Sequence, residues 1–129
     1  MMRRSYFFVF VALVSVLFGG LQLIAPEAVA LQNAMTPSPQ ILYLFRLLGG
    51  LVLSLGVLNF AVRHDADSRT LKAILLCNML NHAVSLMVDL LAVAQGMSTI
   101  VKSAPILVTH MLIIAGALYY AVPIRRAPT

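Results

Sequence analysis

Four apolar runs, at about 6–24, 41–62, 71–94 and 104–122, leave this chain few ways to fold. A transmembrane helix needs roughly 20 predominantly apolar residues, and each run has about that length. With short connections they nearly exhaust the 129 residues, so 1–129 reads as one domain. Composition agrees: 61% of the residues are hydrophobic and 10% are charged, against about 45–50% and about 25% in soluble domains. The mean hydropathy is +0.97. The expected fold is all-α, an integral membrane four-helix bundle.

The breaks between runs carry the right punctuation. "APEAVALQNAMTPSPQ" holds Pro26, Pro37 and Pro39, which interrupt a continuous helix. "RHDADSR" is the most hydrophilic stretch, and Ser68 is placed to N-cap the third helix. In "QGMSTIVKSAP", Gly96 suits a C-cap and Pro105 a first helical turn.

Basic residues are spread over the span boundaries and form no single patch, so the net charge of +5 does not point to nucleic acid. Arg3, Arg4, Arg63, Arg69, Lys72, Arg125 and Arg126 fall on one side of a four-span layout, and only Arg46 and Lys102 on the other. The positive-inside rule then places both termini and the 63–70 loop in the cytoplasm. The expected location is a bacterial plasma (inner) membrane, multi-pass. "MMRRSYFFVFVALVSVLFGG" followed by Ala28-Val29-Ala30 also has the outline of a cleavable signal peptide. Its apolar run of about 19 residues exceeds the usual 7–15, which favours a retained anchor.

The third run contains "LLCNMLNHAVSLMVDLLA", with two amides, an imidazole, a hydroxyl and an acid in an apolar span. At about 100° per residue, Asn78, His82, Ser85 and Asp89 fall within about 60° of one another, with Asn81 beside them. A central Asp facing lipid costs about 2.5–3.5 kcal/mol on insertion scales, so this stripe is expected to face protein. Asp89 lies about 7 Å from the outer end of its run at about 1.5 Å per residue. Arg46 is equally deep in the second run, and His110 slightly deeper in the fourth. These depths predict an Arg46–Asp89 ion pair with His110 close by. Such a pair serves either as a structural pin or as a ligand, ion or proton site.

His82 and His110 also invite a haem held by two imidazoles from facing helices. By the same count His82 lies near mid-membrane and His110 several ångströms nearer the outer face. Ordinary interhelical hydrogen-bonding histidines are the competing reading. Cys77 is the single cysteine, so there is no CxxC pair, and no metal site is expected.

On the second run Arg46, Gly49, Gly50, Leu53, Gly56 and Val57 share a face, and Gly50-x-x-x-Ser54 is a small-xxx-small pattern. Gly49, Gly50, Ser54 and Gly56 are therefore expected to let helices approach closely. Ser15 and Gly19 do the same on the first run, and Ala117 and Ala121 on the fourth. Asn59 lies on a different face and has no assigned role.

The segment "LFRLLGGLVLSLGVLNFAVR" resembles the Arg-x-x-Gly-Gly second helix of small bacterial four-span membrane proteins of the broad DoxX-like kind. The layout is also similar: a first span ending in Pro-Glu, a short basic loop and a third span with internal polar residues. The resemblance implies a four-helix fold and says nothing about activity.

There is no GxGxxG, P-loop, HExxH or GxSxG, and the only acidic residues are Glu27, Asp65, Asp67 and Asp89. The chain is therefore read as a non-enzymatic accessory or assembly component without a cofactor. Its expected partners are the lipid bilayer and other membrane proteins or further copies of itself. An oligomeric small-solute or ion transporter using the third-span stripe is the alternative, and a bis-histidine haem protein the second.

Overall fold

The computed structural model describes residues 3–124. Over them the chain forms five α-helices and one 3₁₀ turn, with no strand. The helices are α1 (Arg4–Ile24), α2 (Pro26–Gln32), α3 (Pro39–Ala61), α4 (Arg69–Ala94) and α5 (Ile100–Ala121). Four of these, all but α2, are long and apolar enough to cross a membrane. Arg125 and Arg126 lie outside the described residues. Contacts divide the chain into two compact units, Met1–His64 and Asp65–Thr129.

The first unit pairs α1 with α3 and sets α2 against both. The expected loop after α1 is partly a helix, and Pro26 is the reason. Proline disfavours α geometry in the residue before it, and Ala25 leaves the helix at φ −129°, ψ 52°. Pro26 then occupies the first turn of α2, where its missing N–H is no loss, and Glu27 complements the positive helix end. α2 closes with a Schellman motif: Ala34 N–H donates to Leu31 O (3.0 Å) and Met35 N–H to Ala30 O (2.9 Å). α3 starts two residues earlier than expected, because Ser38 caps it through Ile41 N–H (3.3 Å) and Pro39 opens its first turn. It ends in the 3₁₀ turn Val62–His64, where the Arg63 guanidinium stacks 3.7 Å from the Phe60 ring centroid.

The α1–α3 contact is made of backbone. A Cβ built on Gly19 would stand 2.7 Å from Leu53 N and 2.8 Å from Gly49 O. One on Gly49 would stand 2.7 Å from Gly19 O. Two turns further along α3, one on Gly56 would meet Ser15 Cβ at 3.0 Å and Ala12 O at 3.2 Å. Gly49 and Gly56 thus join the expected seam with Ser15 and Gly19. Gly50 and Ser54 do not: a Cβ on Gly50 would meet nothing within 4 Å, and Ser54 is exposed with its hydroxyl on Gly50 O of its own helix. About 100° of rotation per residue carries Gly50 off the face that Gly49 occupies.

The second unit is a hairpin of α4 and α5. Ser68 caps α4 as expected, accepting from Leu71 N–H at 3.0 Å. Gly96 follows the C-cap at φ 74°, and its N–H donates to Val93 O while Met97 N–H donates to Ala92 O, a second Schellman motif. Thr99 caps α5 through Lys102 N–H at 3.4 Å. α5 therefore begins at Ile100, four residues before the expected 104, and Pro105 sits within it rather than in its first turn. At the far end Lys72 Nζ donates to Ile124 O at 3.0 Å, tying the start of α4 to the chain beyond α5. Leu71, Leu75, Asn78 and His82 form the buried stripe of α4, and Leu107, His110, Ile113, Ala117 and Ala121 that of α5.

Candidate functional site

The buried stripes of α4 and α5 carry one polar cluster. His82 Nδ1 and His110 Nδ1 lie 2.8 Å apart, with ring centroids 5.0 Å apart and planes inclined at 46°. His110 Nε2 lies 3.3 Å from Asp89 Oδ2. Both histidines are buried, while the Asp89 side chain is one-third exposed. Asp89, His110 and His82 thus form a chain in which each member touches the next.

Helix ends explain the meeting. His82 is twelve residues before Ala94 and His110 ten residues after Ile100, so they lie about 18 and 15 Å from the turn at about 1.5 Å per residue. Starting α5 at 104 made His110 look about 6 Å too shallow. Thr99 and its cap move it level with His82, so the expected difference in depth between the histidines is corrected.

The contacts constrain where protons sit. An imidazole–imidazole contact of 2.8 Å needs one N–H and one bare nitrogen. Asp89 Oδ2 is buried and accepts no hydrogen bond of good geometry among the described residues. His110 Nε2 is the group at hand to donate toward it, and a neutral His110 with its proton there has a bare Nδ1. His82 Nδ1 must then carry the proton between the rings, which leaves His82 Nε2 bare. The tautomer of each ring follows from its neighbour.

The same geometry bears on a haem. Nitrogens on opposite sides of a metal, each at about 2.0 Å, stand about 4 Å apart. Nδ1 atoms at 2.8 Å hold a hydrogen bond, so a haem between His82 and His110 would require the rings to part. Among the described residues no group of three or more His, Cys, Asp or Glu side chains is placed to hold a metal ion.

The remaining stripe residues separate. Asn78 is buried one turn from His82 on the same face. From Asn78 to Asp89 the polar face runs about 16 Å along α4, about half of a hydrocarbon core of roughly 30 Å. Ser85 is half-buried and donates to Asn81 O of its own helix at 3.0 Å, and Asn81 is exposed. Arg46 is exposed on α3 in the first unit, whereas Asp89 belongs to the second. The Arg46–Asp89 pair expected from depth therefore stays a proposal.

One buried polar residue has no role assigned from the sequence. Asn59 is fully buried and donates through Nδ2 to Leu55 O at 2.8 Å. An amide near the end of an apolar run was the available signal. The His82–His110 contact has the form of the interhelical hydrogen bond weighed against a haem, and the start of α5 at Ile100 brings the two histidines to similar depth. No family model, no curated protein and no solved structure matches the chain.

Proposed function

We propose that this chain is a non-enzymatic, multi-pass component of a bacterial inner membrane, acting as an accessory or assembly subunit of a larger complex or through its own copies. Exposed Asn81 carries this reading. It lies near the middle of α4, twelve residues after Arg69, and its side chain faces outward among Leu80, Val84 and Met87. An amide in lipid lacks partners, whereas Asn side chains in membranes hydrogen-bond across helices and glue them together. A protein neighbour on this face would satisfy it. The excess of basic residues at one set of span ends supports cytoplasmic termini, and the backbone contact of α1 with α3 supports a retained first span.

The test is association in a bilayer. Single-molecule photobleaching in liposomes, with pull-down from native membranes, should find the chain paired with itself or with a stable partner. Asn81→Leu should weaken that association about 3- to 20-fold, the effect of about 0.6–1.7 kcal/mol per membrane hydrogen bond. A monomer in both settings, unaffected by Asn81→Leu, would sink the proposal.

The Asp89–His110–His82 chain favours a second reading, an oligomeric transporter of ions or small solutes with this file as its polar path. Proteoliposomes that carry flux sensitive to Asp89→Asn would favour it. Flux without any stable heterologous partner would replace the first reading.

A further inference from the structure

We propose that Asp89, His110 and His82 form a one-proton relay, with His82 Nε2 as its inner accepting atom and Asp89 as the end nearer the α4–α5 turn. The inference goes beyond an assembly role and does not depend on which partner the chain has. It rests on two contacts and one buried acceptor within one hairpin: the 2.8 Å Nδ1–Nδ1 approach, the 3.3 Å Nε2–Oδ2 approach and the otherwise unsatisfied Oδ2.

In the empty state Asp89 is a carboxylate, His110 carries Hε2 and His82 carries Hδ1. A proton from water or from an acidic group of a partner adds to the lone pair of His82 Nε2. The Hδ1 of His82 moves to His110 Nδ1, and the Hε2 of His110 moves to Asp89 Oδ2. One proton has entered and none has left. Both imidazoles end neutral with tautomers inverted, Asp89 ends as a carboxylic acid, and the Nδ1–Nδ1 hydrogen bond persists with its direction reversed. Release of the Asp89 proton to water at the turn completes the transfer, and reorientation of the rings or the reverse transfer resets it. With Asp89 protonated, a second proton would leave one imidazolium beside one neutral imidazole, still sharing a single N–H between their Nδ1 atoms. Only a third would put N–H groups on both, and two donors cannot stay 2.8 Å apart.

No other titratable side chain of this hairpin joins the file among the described residues. Arg69, Cys77, Lys102 and Tyr119 are exposed, and Lys72 is engaged at Ile124 O. Tyr120 is half-buried one turn beyond Ala117. The groups facing each other from α4 and α5 at this level are the three members themselves. Asp89 and His110 also act on His82 as positioning residues, because they hold the proton on its Nδ1.

The test is ¹⁵N-histidine NMR on the full chain in bicelles, with His64→Gln as background so that two histidines remain. At neutral pH His82 should be the Nδ1–H tautomer and His110 the Nε2–H tautomer, with a coupling across the Nδ1–Nδ1 bond. On acidification the first proton should invert both tautomers while the coupling survives. Asp89→Leu should reduce the His82 tautomer ratio by about tenfold, the scale of one charge-assisted hydrogen bond. The wild-type spectra decide even where that variant folds poorly. Three outcomes would overturn the relay: a proton on His82 Nε2 at neutral pH, no coupling in a folded hairpin, or a first proton that leaves His82 unchanged. The last would make the cluster a static clamp. None of these outcomes turns on self-association or partner capture, so the two proposals stand or fall separately.

Discussion

The two units join their helices by opposite means. In the first, α1 and α3 touch through Gly19, Gly49 and Gly56, so close that main-chain atoms occupy the space a methyl group would need. In the second, α4 and α5 are joined in the interior by two imidazoles and a carboxylate. For helices that cross a bilayer, lipid is as apolar as leucine, so burying leucine between them brings little advantage, and close packing or polar contact must hold them. The difference shows how differently the two will respond to change. A glycine seam fails through volume, and a polar chain fails through an unsatisfied partner.

The largest effect is expected at Gly49. Gly49→Leu places a side chain where Gly19 O already stands 2.7 Å from the Cβ position. The neighbour is backbone and cannot swing away, so the cost should reach about 3 kcal/mol or more, the upper end for overpacking. Hydrogen exchange of α1 and α3 amides in nanodiscs should rise sharply. Gly50→Leu is the control one residue away: its Cβ enters open space, and exchange should hardly change. Equal damage from both would break the contrast between the seam and the helix's outer face.

In the second hairpin the expected losses are smaller. His82→Leu leaves His110 Nδ1 without its partner, and His110→Leu strands both His82 and Asp89. A buried group left unpaired costs about 1–3 kcal/mol, so His110→Leu should be the worse of the two by unfolding in detergent. A double-mutant cycle of Asp89→Asn with His110→Gln should give a coupling of about 1 kcal/mol. The cycle of Asp89→Asn with Arg46→Gln tests the pair inferred from depth, and its coupling should be the smaller. The reverse order would return Asp89 to Arg46.

These contrasts mark what could be read from the residues. Apolar run length was enough for four long helices, and helical period was enough to gather Asn78, His82 and Asp89 on one face. Both signals are local. The seven residues of α2 are too few to show a period, and Pro26, which breaks one helix, also starts the next. Register between helices was not legible, because it depends on where caps fall. A start expected at 104 against the observed Ile100 displaces His110 by about a turn and sets it at a different depth from His82. Gly49 and Gly50 look alike in sequence, and only the pairing of α1 with α3 tells them apart.

The smallest effect returns to the comparison at the helix ends. Both units close a helix with the same Schellman hydrogen bonds, but the left-handed position is Gly96 in the second and Ala34 in the first. A Cβ in that conformation costs roughly 1 kcal/mol, which glycine avoids. Ala34→Gly should therefore stabilise the end of α2 by about 0.5–1 kcal/mol, and Gly96→Ala should destabilise the α4–α5 turn by a similar amount. A Cβ on Gly96 would meet no atom within 4 Å, so crowding does not confuse the second measurement. Hydrogen exchange at the Met35 and Met97 amides, which close the two motifs, reads each change locally. Opposite signs would show that the two turns share one conformational rule. If both substitutions destabilise, the Ala34 side chain makes a contact that offsets its strain, and the likeness between the turns ends at their hydrogen bonds.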